Sequence, residues 1–184
     1  MEHVILVNKY DEELGLMEKM EAHEKGVLHR AFSIFLFNSK GELMLQRRAL
    51  SKYHSGGLWT NTCCSHPRQG ETVLEAAHRR LQEEMGMTCE MEQAFSFIYR
   101  AELDHGLTEH ELDHVVLGFT DDSPILNPSE VMDWKYMPMD AVAKDIKDYP
   151  EFYTEWFKVI FEKVGKTVKQ LSAKKQQGPT LVYV

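Results

Sequence analysis

Apolar residues recur along this chain with two different periods, and the switches between them outline alternating strands and helices. Val4 to Val7 reads as a short first strand, and Ala31 to Phe37 as a second, apolar and buried one. Asn38-Ser39-Lys40-Gly41 is turn chemistry, after which Glu42 to Arg47 runs back with alternating polarity, so the two strands form a hairpin. Ser51 to Gly57 is a loop. Leu74, Ala77, Leu81 and Met85 then recur at helical spacing, with a capping box from Thr72 and Glu75 at the start and Gly86 at the end. Glu84 flanks that stripe, whereas Glu83 points further toward solvent. Phe95 to Glu102 alternates as a strand, His105-Gly106 turns, and Glu109 to Phe119 returns as its partner. Val131 to Met137 is one more strand, and Pro138 introduces a short helix from about Asp140. Glu151 to Val164 reads as a long helix whose stripe is Phe152, Trp156, Phe157, Ile160, Phe161 and Val164. The lysine-bearing stretch from Lys163 to Lys175 is expected to fray.

A chain of 184 residues with 43% hydrophobic composition can bury a real core, so a single domain over 1–184 is expected, with about 165–184 as a frayed tail. No stretch is apolar enough for a membrane span, and Met1 to Lys9 lacks the basic start and apolar run of a secretory signal. With Cys63 and Cys64 adjacent and three cysteines in all, a disulfide framework is not expected, which points to a reducing, cytoplasmic setting. A net charge of -8 argues against nucleic-acid binding. An anionic ligand would have to meet a local cationic pocket, for which Lys19, Arg47, Arg48, Lys52, Arg79 and Arg80 are candidates.

Two clusters carry candidate chemistry. The period of two on the returning strand puts Glu109 and Glu111 on one face and turns His110 away. Two neighbouring carboxylates repel, so a cation between them is a natural explanation. With His23, His29 and His66 they make a mixed nitrogen and oxygen set suited to Zn, Mn or Fe, while His3, His54, His78, His105 and His114 have no such company. Cys64 lies two residues before His66, in a turn leading to a helix expected to bind an anion, and positive surroundings there would lower its thiol pKa.

Glu71, Arg79, Glu83, Glu84 and Gly86 resemble a Nudix box, the loop-helix-loop that holds a metal-bound diphosphate. Its opening Gly is Ser65 here, and the acid expected after its Arg is Arg80. Exchanging a carboxylate for a guanidinium points to phosphate binding without phosphate cleavage. Arg47-Arg48-Ala49-Leu50-Ser51-Lys52, Trp59 to Pro67, Tyr99-Arg100-Ala101 and Glu109-His110-Glu111 go further. They resemble type I isopentenyl-diphosphate delta-isomerase, a Nudix-fold family, from about residue 2 to about residue 160. Five residues separate His23 from His29, one fewer than in the bacterial pattern.

That resemblance implies an α+β fold, a Nudix-type αβα sandwich with a mixed sheet, and the interconversion of isopentenyl and dimethylallyl diphosphate. It makes Glu111 and Cys64 the acid and base, with Tyr99 as a proton relay. His23, His29, His66, Glu109 and Glu111 become ligands of a divalent ion, Mn2+ or Zn2+, and Glu84 the ligand of a Mg2+ that bridges to the substrate. Lys19, Arg48, Lys52 and Arg80 would contact the diphosphate, and Trp156 would line the isoprenoid pocket with Tyr99. The implied partner is a small prenyl diphosphate, with no nucleic acid and no membrane, and the protein a monomer or homodimer. The competing readings are a Nudix pyrophosphohydrolase and a noncatalytic diphosphate-binding module.

Overall fold

The computed structural model describes residues 2–176. In chain order its elements are β1 (His3–Val7), β2 (Glu13–Glu18), α1 (Lys19–Lys25), β3 (His29–Phe37), β4 (Glu42–Arg48), β5 (Trp59–Thr60), β6 (Cys63–Ser65) and α2 (Val73–Met85). They continue with β7 (Met91–Glu102), β8 (Thr108–Phe119), β9 (Val131–Pro138), α3 (Met139–Asp148) and α4 (Glu155–Gln176).

The strands form one mixed sheet. β3 is its hub: it pairs parallel with β8 along its whole length, antiparallel with β6, and with β4 only at the mouth of their hairpin, where Phe37 faces Leu43. Beyond that mouth β3 and β4 part, and residues 59–65 fill the wedge, β5 pairing with β4 and β6 with β3. Thr62 closes the seam. Its hydroxyl donates to the Met44 carbonyl and accepts from the Leu36 N–H, while Asn61 Nδ2 donates to the Ile34 carbonyl at 3.1 Å. Buried backbone groups need such partners, and here side chains supply them where the ladder is interrupted.

Helices cover both faces. Phe35, Phe37, Val115 and Leu117 pack under α3 and α4 with Phe157 and Ile160, whereas Phe32, Ile34, Leu36 and Val116 pack under α2 with Leu81 and Met85. The expected αβα layering is therefore present, and the apolar run of β3 follows from burial on both of its faces. The Thr72–Glu75 capping box forms, and Gly86 ends α2 in the left-handed region at φ 59°, where a Cβ would clash with the Ile125 carbonyl oxygen.

Several boundaries differ from the sequence reading. β2 is an edge strand with Leu14 and Leu16 exposed, so it has no buried face to betray it. The stretch read as a helix from Glu151 opens instead with a 3-10 turn at Pro150–Phe152. Phe152 is accordingly exposed, and α4 begins only at Glu155. Cys64 lies on strand β6 and not in a turn. In the expected frayed tail, α4 runs on to Gln176, while residues 177–184 lie outside the described residues.

Candidate active site

Three histidines reach one point from three elements. His23 is on the last turn of α1, His29 opens β3, and His66 follows β6; all three are buried. Their ring centroids are 4.9 to 5.7 Å apart. With Glu111 they form a group whose donor atoms all lie within 4.8 Å of one another. His23 and His29 bond the Lys19 and Val27 carbonyls through Nδ1, each at 2.8 Å, which makes Nδ1 the protonated nitrogen and leaves Nε2 a free lone pair. Neither Nε2 has a hydrogen-bond partner among the described residues. Buried, oriented and unpartnered imidazole nitrogens beside a carboxylate fit a divalent metal ion.

Glu109, the fifth expected ligand, is not in that group of four. The Tyr99 hydroxyl links it to the others, lying 2.9 Å from Glu109 Oε2 and 2.7 Å from Glu111 Oε2. Burial raises both carboxyls. At Glu111 the adjacent His29 and His66 imidazoles outweigh burial and hold it below the usual range, whereas at Glu109 the neighbouring Glu111 charge adds to burial and holds it up. A hydroxyl has one proton to give, so a protonated Glu109 donating to Tyr99, with Tyr99 donating to Glu111, satisfies all three.

These groups open onto a pocket of about 110 Å³ that Cys64, Tyr99, Glu111 and Trp156 share with Lys19, Arg48, Lys52 and Arg80. Every residue expected to touch the substrate thus lines one cavity. Period-two alternation on β6 separates the two thiols: Cys63 is fully buried in the α2-side core and Cys64 faces the pocket. One expectation is overturned. Burial pushes the Cys64 thiol up, and the Arg48 charge only partly offsets it, so the thiol is neutral. Trp156 serves two roles, being 3% exposed in the core while lining the pocket. The Arg48 guanidinium lies 5.1 Å over its ring.

The cationic end takes four of the six candidates. Arg79 is committed elsewhere, bidentate to Glu71 at 2.7 and 2.8 Å, and Arg47 donates to the Gly57 carbonyl against Trp59. The helix α2 meets the pocket through Arg80 and Glu84 on its second half, not through its N-terminus. Glu84 is buried and bonds Arg80 and Gln46, while Glu83 is more exposed and pairs with Arg79 and Arg80. Arg48 and Arg80 each keep a buried Nε–H with no partner among the described residues, donors that suit an anion.

Sequence reasoning missed His54, Asp113 and Glu130, whereas His114 was rightly left out of the site. His54, set aside as isolated, is buried with its Nε2 3.9 Å from Glu109 Oε1, and burial holds it neutral. His114, also set aside, has Asp11 at 3.1 Å and Gln93 at 2.7 Å, away from the pocket. Asp113 continues the face of Glu109 and Glu111, and burial with the Glu111 charge raises its carboxyl to about 8; period two could have found it. Glu130 lines the cationic end on a turn before β9, where no motif marks it.

A mixed sheet between helices, with a loop-helix-loop that carries Arg80 and Glu84 to the wall of a pocket beside a buried His and Glu cluster, defines a Nudix protein. A NUDIX domain matches residues 27–158, and the chain belongs to that family. Within it, the chain is 52% identical to isopentenyl-diphosphate Delta-isomerase 2 of Aromatoleum aromaticum, over 89% of this chain and 86% of that one. It is also 52% identical to isopentenyl-diphosphate Delta-isomerase of Pectobacterium atrosepticum, over 88% and 90%. It belongs to the isopentenyl-diphosphate Delta-isomerases and is an enzyme of that kind. Among solved structures, DR0079 of Deinococcus radiodurans superposes with a TM-score of 0.67 at 22% identity, covering 80% of this chain and 90% of that one. That likeness concerns the fold alone.

Proposed function

We propose that this chain interconverts isopentenyl and dimethylallyl diphosphate, protonating C4 and removing a proton from C2, with Cys64, Glu111 and Tyr99 as its catalytic residues. The observation that carries the assignment is the single pocket in which these three side chains meet Lys19, Arg48, Lys52 and Arg80. An unactivated alkene is a poor base, and its protonation leaves a tertiary cation that water would capture. The reaction therefore needs an acid, a base, a sheltered cavity and a fixed substrate.

Lys19, Arg48, Lys52 and Arg80 hold the diphosphate by charge-assisted hydrogen bonds, the buried Nε–H groups of Arg48 and Arg80 among them. Binding energy spent there fixes the prenyl unit against the proton-transfer groups. Glu111, an ionised carboxylate held by the Tyr99 hydroxyl, and Cys64, a neutral thiol, serve opposite ends of the allylic unit, the one able to take a proton and the other to give one. Because the isomerisation is reversible, the group that acts as acid in one direction acts as base in the other. The Trp156 ring, next to the cavity, offers a π face to the cation, a contact worth about 2 kcal/mol when desolvated. His23, His29, His66 and Glu111, with Glu109 behind Tyr99, would hold Mn2+ or Zn2+, and Glu84 Mg2+; these ions would polarise Glu111 and offset diphosphate charge.

Pyrophosphate hydrolysis is disfavoured because Arg80 stands where the Nudix box has an acid, and it ties Glu83 and Glu84 in ion pairs. Among the described residues no helix is long and apolar enough to cross a membrane, and all three cysteines are free, in keeping with a reducing cytoplasmic site. Purified protein given isopentenyl diphosphate and Mg2+ should yield dimethylallyl diphosphate by NMR, with no phosphate or pyrophosphate released. Phosphate release without isomer would sink the assignment.

A further inference from the structure

The cationic end of the pocket carries almost no net charge. Lys19, Arg48, Lys52 and Arg80 line it, but so do Glu2, Glu84 and Glu130. Four positive groups against three negative leave a net +1. The other two acids of the wall, Glu109 and Glu111, are tied to Tyr99 and the imidazoles.

The three acids are partners of the cations. Glu130 Oε2 lies 2.6 Å from Lys52 Nζ and 3.4 Å from Arg80, Glu2 meets Lys19 at 3.0 Å, and Glu84 bonds Arg80. Burial raises the Glu130 carboxyl, but Lys52 and Arg80 outweigh it and keep the group ionised. Glu130 is also held firmly. Its carbonyl accepts from Ala49 N–H at 2.9 Å and its N–H donates to Asn127, whose own N–H donates to the Glu84 carbonyl at 2.9 Å. It therefore sits at a fixed place between the loop that carries Lys52 and the end of α2 that carries Glu84.

A diphosphate monoester carries about three negative charges near neutral pH, and one divalent cation brings that to about one. A pocket of net +1 neutralises the second species, whereas it leaves about two charges of the first without a counter-charge in a partly buried site, which is costly. We propose that Glu130 is a specificity-determining residue: its fixed negative charge makes the pocket select the metal-bound diphosphate over the free one. This rests on the diphosphate substrate proposed above. It gives Glu130 a task distinct from metal ligation, since its carboxylate contacts Lys52 and Arg80.

The test is calorimetric binding of inorganic pyrophosphate to the full chain, with and without Mg2+ in the buffer. Wild type should bind at least about tenfold more tightly with Mg2+. Glu130→Gln should tighten Mg2+-free binding by about tenfold and so compress that ratio, the effect of one charge a few ångströms away in a partly buried site. Glu130→Asp, which keeps the charge, should retain the wild-type ratio. Lys52→Met, which removes a positive charge, should widen it and gives a second reading should Glu130→Gln fail to fold. An unchanged ratio in Glu130→Gln, or weakened Mg2+-dependent binding with Mg2+-free binding unaltered, overturns the inference, as does an unchanged ratio in Lys52→Met. A wild type that shows the ratio yet does not isomerise overturns the proposed function alone.

Discussion

The two adjacent thiols offer a clean separation of stability from chemistry. Cys63 is fully buried among Met44, Leu81 and the α2-side core, so Cys63→Ala deletes one sulfur from a packed site. Lost transfer energy and the residual cavity together cost roughly 1–2 kcal/mol. For a chain of this size that lowers Tm by roughly 3–6 °C. Cys64 is only partly buried and faces the pocket, so Cys64→Ala should cost less than about 1 kcal/mol. Activity should show the opposite order: turnover falls by about 10²- to 10⁴-fold in Cys64→Ala and stays within about twofold of wild type in Cys63→Ala. Thermal unfolding and NMR-monitored conversion of isopentenyl diphosphate, run on the same preparations, give both readings. Equal loss of turnover in two folded variants would remove the special place of Cys64, and a larger Tm drop for Cys64→Ala would show that the facing of the two side chains is misjudged.

Glu111→Gln keeps the side-chain shape and one ligating oxygen, so bound metal should persist at least in part while turnover falls by about 10²-fold or more; in deuterated water, label at the C4-derived methyl should vanish with it. If exchange persists at the wild-type rate, Tyr99 becomes the proton donor. Glu84→Gln should weaken Mg2+ dependence and leave the histidine-bound metal in place, and His66→Ala should do the reverse; metal analysis showing both ions lost from each variant would contradict two separate sites. In chelator-treated protein, stability should fall with acid through His66. Burial lowers its pKa to about 4 in the fold, so between there and its ordinary value of about 6.5 the unfolded chain binds more protons; the loss begins below about 6.5 and reaches roughly 3 kcal/mol near 4. Denaturant midpoints measured between pH 7 and 4 that fail to shift in wild type more than in His66→Ala would refute this.

The legible parts of the molecule were those where a period or a turn signal acts over a whole element. The β3–β4 hairpin, the capped α2 and the paired Glu109 and Glu111 all follow from local pattern. The wedge of β5 and β6 did not, because two- and three-residue strands held by Asn61 and Thr62 side chains have no periodicity of their own. His54 and Glu130 join the site only through tertiary packing of loops, which residue spacing does not encode. The neutral state of Cys64 was misjudged for a related reason. Nearby cations are visible in a sequence, but the desolvation that outweighs them is not.

The wedge between β3 and β4 also decides when the protein becomes competent. Cys64 and His66 sit on or next to a segment whose amides and side chains are bonded to Ile34, Leu36 and Met44 in the middle of the sheet. Those bonds tie Cys64 and His66 to the framework, so these two residues should stay in place while the sheet stays intact. During refolding, metal capture should therefore trail sheet closure, and amides from Thr62 to His66 should exchange with solvent only through global unfolding. A destabilising change anywhere in the sheet would then reduce the fraction of competent molecules without altering the turnover of those that remain folded.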